Sequence, residues 1–243
     1  MDCIAHRGSA NRVPENSIAG VHYSASHRIK QIECDISVAS DGIAVIFHDR
    51  YLRRMTGDPR SVLSLASHEL IQIPLITHHT GPTQYIPLAK DWMHEAASYD
   101  LFVHLEIKVH DREIDRVVDA ALHAFDESGL LASQVRLSSF SLDAIEVVRD
   151  RRPDLEVGLA AERLSDVALE SLDSLGLTSL HLDIEHLDRQ SVASAIDRGL
   201  KVCAYTVNSV RQLKSLPINL IDSVFTDDPV MLSDELKALK ILQ

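Results

Sequence analysis

The sequence predicts an α/β protein built as a TIM-like (β/α)8 barrel with an insertion after the third strand. Apolar runs of strand length alternate with segments of helical period, the mark of βα units around a parallel sheet. The 243 residues suit a fold that routinely occupies about 250 as one unit, so residues 1–243 are read as a single barrel domain. Chemistry-bearing side chains also recur at the C-terminal ends of the strands, the face on which barrels carry their active sites.

From the N-terminus, a strand at Cys3 to His6 stops on Arg7-Gly8, and a helix from Asn16 to Arg28 follows the turn at Pro14-Glu15-Asn16. Strands at Gln31 to Ser37 and Ile43 to His48 flank "SDG" at Ser40 to Gly42. No crossover helix fits between them, so they form an antiparallel hairpin that absorbs the ninth strand of an eight-stranded barrel. Arg50 to Pro87 is long, without convincing periodicity, and broken by Pro59, Pro74, Pro82 and Pro87. A loop of that length in a compact domain is usually functional, so residues 50–87 are read as an insertion over the C-terminal barrel mouth.

A helix at Ala89 to Tyr99 leads into a strand at Leu101 to Lys108. In "DREIDRVVDAALHAFDESG", Ile114, Val117, Val118, Ala121, Leu122 and Phe125 fall on one helical face, and Gly129 supplies the stop. Strands at Val135 to Phe140, Leu155 to Ala160, Ser179 to Ile184, Lys201 to Val207 and Ser223 to Thr226 complete the set. The intervening helices are expected at Leu142 to Asp150, Leu164 to Leu175, Ser191 to Arg198, Val210 to Leu216 and Met231 to Leu242, with Gly176 and Gly199 as caps.

Composition narrows the partners. A formal charge of −12 argues against nucleic acid or an anionic membrane surface, where binding is driven by many Lys and Arg contacts to phosphate. Cys3, Cys34 and Cys203 are odd in number and far apart, which suits buried free thiols in a reducing compartment. No window approaches the ~18 apolar residues of a membrane span and no signal peptide is visible, so the cytoplasm is the expected location.

Strand alternation puts Glu33 and Asp35 of "IECDIS" on one face, and Glu106 and Lys108 of "LEIK" likewise share a face. A turn centred on Asp41-Gly42 pairs Ser40 with Ile43 and sets Asp35 directly across from His48. Like charges ~4 Å apart repel by ~4 kcal/mol at an effective dielectric of 20, so three clustered carboxylates need raised pKa values or a cation among them. All-oxygen ligation favours Mg²⁺ or Ca²⁺ over zinc. Two histidines, His6 and His48, can each give or take a proton near neutral pH, and opposite protonation states would produce a bell-shaped rate profile. Asp227 and Asp228, before Pro229, most simply cap the last helix. His78-His79, His104, His110 and His181 read as surface or packing residues.

The run "AHRG…PENS", followed by "ECDISVASDGIAVIFHD", "LEIK", "SF", "YTVN" and "TDDP", resembles the glycerophosphodiester phosphodiesterase family in order and approximate spacing. The resemblance implies a barrel that uses a divalent metal to hydrolyse glycerophosphodiesters into sn-glycerol 3-phosphate and an alcohol. By the same resemblance, His6 and His48 are the acid/base pair and Glu33, Asp35 and Glu106 the metal ligands. Arg7 and Lys108 would hold phosphate, and Phe140 and Tyr205 would contact substrate. Tyr205 stands where the family usually has Trp, and Ser17 where Thr is usual. Two alternatives remain open: a barrel phospholipase acting on phosphoinositides or sphingomyelin, and a catalytically silent barrel that binds a phosphorylated ligand. The acidic surroundings and few aromatics of the 50–87 segment speak against docking on lipid.

Overall fold

In the computed structural model, which describes residues 1–76, 78–164, 169–213 and 218–239, the chain forms a (β/α)8 barrel. Eight parallel strands close it: β1 (Asp2–Ala5), β2 (Gln31–Val38), β4 (Phe102–Ile107), β5 (Val135–Ser139), β6 (Glu156–Ala161), β7 (Ser179–Asp183), β8 (Lys201–Tyr205) and β9 (Ser223–Thr226). The ninth, β3 (Ala44–Ile46), pairs antiparallel with β2 outside the closed ring, as the hairpin reading requires.

Closure occurs between β1 and β2, through the pairs Ile4↔Gln31 and Ala5↔Ile32 only. Further along the same edge of β2, β3 takes over at Ile36 to Val38. That leaves Glu33 to Asp35 between two partners. Asn16 fills the gap with its side chain: its Oδ1 accepts from the Asp35 amide at 3.1 Å, and its Nδ2 donates to the Asp35 carboxylate at 2.8 Å.

The helices are α1 (Ile18–Ser26), α2 (Arg53–Thr56), α3 (Ser67–Leu70), α4 (Ala89–Ser98), α5 (Ile114–Ser128), α6 (Leu142–Arg151), α7 (Leu169–Ser174), α8 (Arg189–Asp197), α9 (Val210–Leu213) and α10 (Pro229–Ala238). The expected helical segments at 165–168, 214–216 and 240–242 lie outside the described residues. In α5 the predicted stripe is buried against the barrel, and Gly129 ends the helix at φ 83°, a left-handed cap that glycine adopts without strain. The main apolar core lies between sheet and helices, with Ile36, Val103, Leu105, Val118, Trp92 and Leu137 fully buried.

Residues 50–87 carry the short helices α2 and α3 and their own apolar cluster, in which Leu52, Val62, Leu70 and Ile86 pack on Val45 and Phe47. This explains the missing periodicity: each helix spans only about one turn, too short to display a period of 3.6. No helix among the described residues is long and apolar enough to cross a membrane.

Candidate active site

The site begins where β1 ends. After Ala5 the backbone turns left-handed, with Arg7 at φ 48° and Gly8 at φ 77°. A Cβ on Gly8 would sit 2.9 Å from the Gly20 Cα, so α1 packs backbone to backbone against this turn. His6 and Arg7 thereby line the central cavity. The His6 Nδ1–H donates to Asp227 at 2.7 Å, and the other Asp227 oxygen accepts from Asn208 Nδ2 at 2.6 Å. His6 Nε2 remains on the cavity side, 4.0 Å from Glu33. The capping expectation is thus corrected: Asp228 alone caps α10, accepting from the Met231 amide, while Asp227 orients His6.

Glu33 and Asp35 lie on one face of β2, and the β2–β4 register places Asp35 beside Glu106. The three carboxylates offer oxygens within 4.8 Å of one another, the only such metal-capable group among the described residues. One Glu33 oxygen accepts from the Arg7 amide at 2.7 Å; the other is buried without a hydrogen-bond partner. Asp35 lies 3.1 Å from Lys108 Nζ and 3.3 Å from Arg7 Nε, and Lys108 also pairs with Glu106.

Burial, then the charge of Asp35, pushes the Glu33 carboxyl up to about 8. Burial also opposes ionisation of Asp35, but Lys108 and Arg7 outweigh it and hold that carboxyl below the usual range. A buried, unpartnered carboxylate oxygen facing two further oxygen donors fits a hard divalent cation.

The hairpin register differs from expectation. Val38 pairs with Ala44 and Ile36 with Ile46, and the Ala39 amide donates to the Ile43 carbonyl at 2.8 Å, so the loop, residues 40–42, is three residues long, with Gly42 at φ 83° in the left-handed position such loops favour. Asp35 therefore faces Phe47, whose amide donates to the Asp35 carbonyl at 2.9 Å, and not His48. His48 still reaches the cavity because the chain leaves the sheet after Ile46.

The His48 Nδ1–H donates to Asp49 at 2.5 Å, and Arg54 holds the other Asp49 oxygen at 2.6 Å. Arg54 also binds Glu15 through two hydrogen bonds of 2.7 Å, and Glu15 accepts from Arg7 at 3.1 Å. A chain of charges thus ties the β1 turn to the insertion. Burial lowers the His48 pKa, with Lys108 and Arg7 adding to it against the pull of Asp35. His6 is also disfavoured as a cation by burial, yet Asp227 and Glu33 more than offset this and its pKa rises.

The central cavity, of 210 Å³, brings together His6, Arg7, Glu33, His48, Glu106, Lys108, Phe140 and Tyr205, while Asp35 lies buried beneath it. Phe140 and Tyr205 meet edge to face at 5.9 Å, and Lys108 Nζ lies 5.6 Å from the Phe140 ring centre. His104 and His181 are buried inside the barrel beside Phe225, and His181 also lines the central cavity, so it is more than the surface or packing residue the sequence suggests. The mouth-facing start of the insertion is basic, through Arg50, Arg53 and Arg54, which overturns the expectation of acidic surroundings there.

The sequence assigns no site role to Glu15, Asn16, Asp49, Arg54 or Asn208, and makes Asp227 only a helix cap. "TDD" held a clue, since one carboxylate suffices for a cap. "PENS" was conspicuous but its carboxylate and amide act only through distant partners. Arg54 gave no signal at all.

The sequence profile described as the glycerophosphoryl diester phosphodiesterase family matches residues 6–231. A glycerophosphodiester phosphodiesterase of Caldanaerobacter subterraneus is 24% identical over 228 residues, covering 93% of each chain. An Oleispira antarctica phosphodiesterase, solved in complex with the product sn-glycerol-3-phosphate, is 26% identical and superimposes with a TM-score of 0.88 over 98% of this chain and 97% of its own. The glycerophosphodiester phosphodiesterase of Thermotoga maritima, 20% identical with a TM-score of 0.76 over 96% of both chains, shares the fold. With the profile spanning nearly the whole barrel, this chain is a phosphoric diester hydrolase belonging to the glycerophosphoryl diester phosphodiesterase family.

Proposed function

We propose that the protein hydrolyses water-soluble glycerophosphodiesters to sn-glycerol 3-phosphate and an alcohol, with His6 and His48 as the acid/base pair and a divalent cation on Glu33, Asp35 and Glu106. The observation that carries this reading is the pairing of two imidazoles, each held at Nδ1 by a carboxylate, around one cavity with three convergent acids. The Oleispira relative's bound product supports the substrate class. Three free cysteines suit the reducing cytoplasm. The chain acts as one barrel unit whose 50–87 segment walls the mouth.

With Nδ1 committed as donor, each neutral imidazole presents Nε2 as an acceptor, and each protonated one presents it as a donor. One histidine removes the proton from the attacking oxygen and the other delivers a proton to the departing alkoxide. By the family resemblance the attacker is the glycerol moiety's free hydroxyl, which closes a cyclic phosphate that water then opens. Arg7 and Lys108 stabilise charge on the non-bridging oxygens, where preorganised positive groups act most strongly. The cation, Mg²⁺ or Ca²⁺, would add Lewis-acid polarisation of the same oxygens. Phe140 and Tyr205 wall the carbon skeleton.

The direct test is release of glycerol 3-phosphate from a panel of diesters with and without each metal. Alanine at His6 or His48 should lower turnover by ~10²-fold or more. EDTA should do likewise, and E33Q should abolish the Mg²⁺ or Ca²⁺ binding isotherm measured by calorimetry on the unliganded protein. Full activity in EDTA removes the metal from the mechanism. Product from micellar lipid but not from soluble diesters favours the phospholipase alternative; binding without turnover favours the silent one.

A further inference from the structure

The central cavity has a neighbouring groove. His48 and Lys108 line both the cavity and this wider groove of 550 Å³ on the insertion side, against 210 Å³ for the cavity itself. A phosphodiester has two arms, and the smaller space suits the constant glycerol arm against Phe140 and Tyr205. The larger, outward groove has room for the variable alcohol.

The groove's charge is out of character with the molecule. In a chain of net charge −12, its wall sets Arg50, Arg53, Arg54 and Lys108 against one carboxylate, Asp49. Arg54 and Lys108 are neutralised by the active-site acids, whereas Arg50 and Arg53 form no ion pair with a described residue. Arg50 is moreover built in. Its carbonyl accepts from the Val62 amide and the Ser61 hydroxyl, each at 3.0 Å, and its guanidinium donates to the His110 carbonyl at 2.9 Å and lies 5.9 Å from the Tyr51 ring centre. One of its five N–H groups is thereby used, leaving the rest for an anion.

We propose that this groove receives the alcohol portion of the substrate and selects diesters whose alcohol carries an additional anionic group, a phosphate monoester or carboxylate. The inference rests on the hydrolase reading above. Arg50 and Arg53 supply the specificity, and neither is needed for bond cleavage.

The test compares glycerophosphoinositol with glycerophosphoinositol 4-phosphate, which share one alcohol and differ by one phosphate. The wild type should favour the phosphorylated diester by about tenfold or more in kcat/KM, a preference that shrinks as ionic strength rises. R50Q/R53Q should bring the ratio close to one while glycerophosphoinositol turnover stays within about twofold of wild type. Because Arg50 is pinned in the loop, R53E serves as a second variant, and it should lower the ratio without touching that scaffold. Equal kcat/KM for the two diesters in the wild type, or a preference that survives both variants, overturns the proposal and leaves the hydrolase reading standing. Hydrolysis of neither diester, nor of any other glycerophosphodiester, overturns both.

Discussion

Each imidazole of the site is held at Nδ1 by a carboxylate that is itself anchored: Asp227 by Asn208, Asp49 by Arg54. Such a partner fixes the tautomer and the ring plane, so its loss should depress turnover without weakening substrate binding. Asp227→Asn keeps the volume but offers an amide where a carboxylate oriented the ring. We expect kcat to fall by ~10²-fold or more with KM within about twofold of wild type. The histidine limb of the pH–rate profile should move to lower pH, because the group that favours the His6 cation is gone. Unchanged kcat and an unmoved limb would reduce Asp227 to a bystander.

The turn after β1 and the helix α1 form one unit through the contact of Gly8 with Gly20. A Cβ on Gly20 would meet the Gly8 Cα and carbonyl oxygen at 2.8 Å, and backbone on both sides has no rotamer by which to yield. Gly20→Ala should therefore destabilise by about 1–3 kcal/mol and disturb His6 and Arg7 at the same time. Thermal unfolding and kcat measured together check this; a native-like midpoint with native-like activity would mean that the two backbones separate freely.

The nine strands are readable in advance because each is a short apolar run, several of them with chemistry at the C-terminal end, and the hairpin because the gap around "SDG" is too short for a crossover helix. Its register is not. Two- and three-residue loops through Gly42 differ by one position, and that position decides whether Phe47 or His48 faces Asp35. The short helices of the insertion lacked the length to show a period, and the Glu15–Arg54 and His6–Asp227 pairs span 39 and 221 residues, separations that only the closed barrel makes local.

The barrel interior holds a second set of titratable groups, His181 at the wall of the central cavity and His104 beside it. Burial, with the charge of Arg136, lowers the His181 pKa to about 3, and burial next to His181 and Arg136 pushes His104 well down. Both rings are therefore neutral in the folded chain at pH values where the unfolded chain, with pKa near 6.5, takes up protons. The sign follows: their neutrality is harmless above pH 6.5, and stability is lost as pH falls from about 6.5 toward 3. Urea unfolding at a series of pH values should show this decline, and His181→Gln should flatten it; an identical pH slope in that variant would assign the loss to other groups.

The seam between β1 and β2 has one further consequence. Only two residue pairs join these strands, and directly beyond them Arg7 on one lip contacts Glu33 and Asp35 on the other. Whatever occupies the space between those groups also works as a clasp on the cylinder. Occupancy should raise the unfolding temperature and slow amide exchange in the first two strands more than elsewhere, so that the enzyme is mechanically tightest while it holds its cargo.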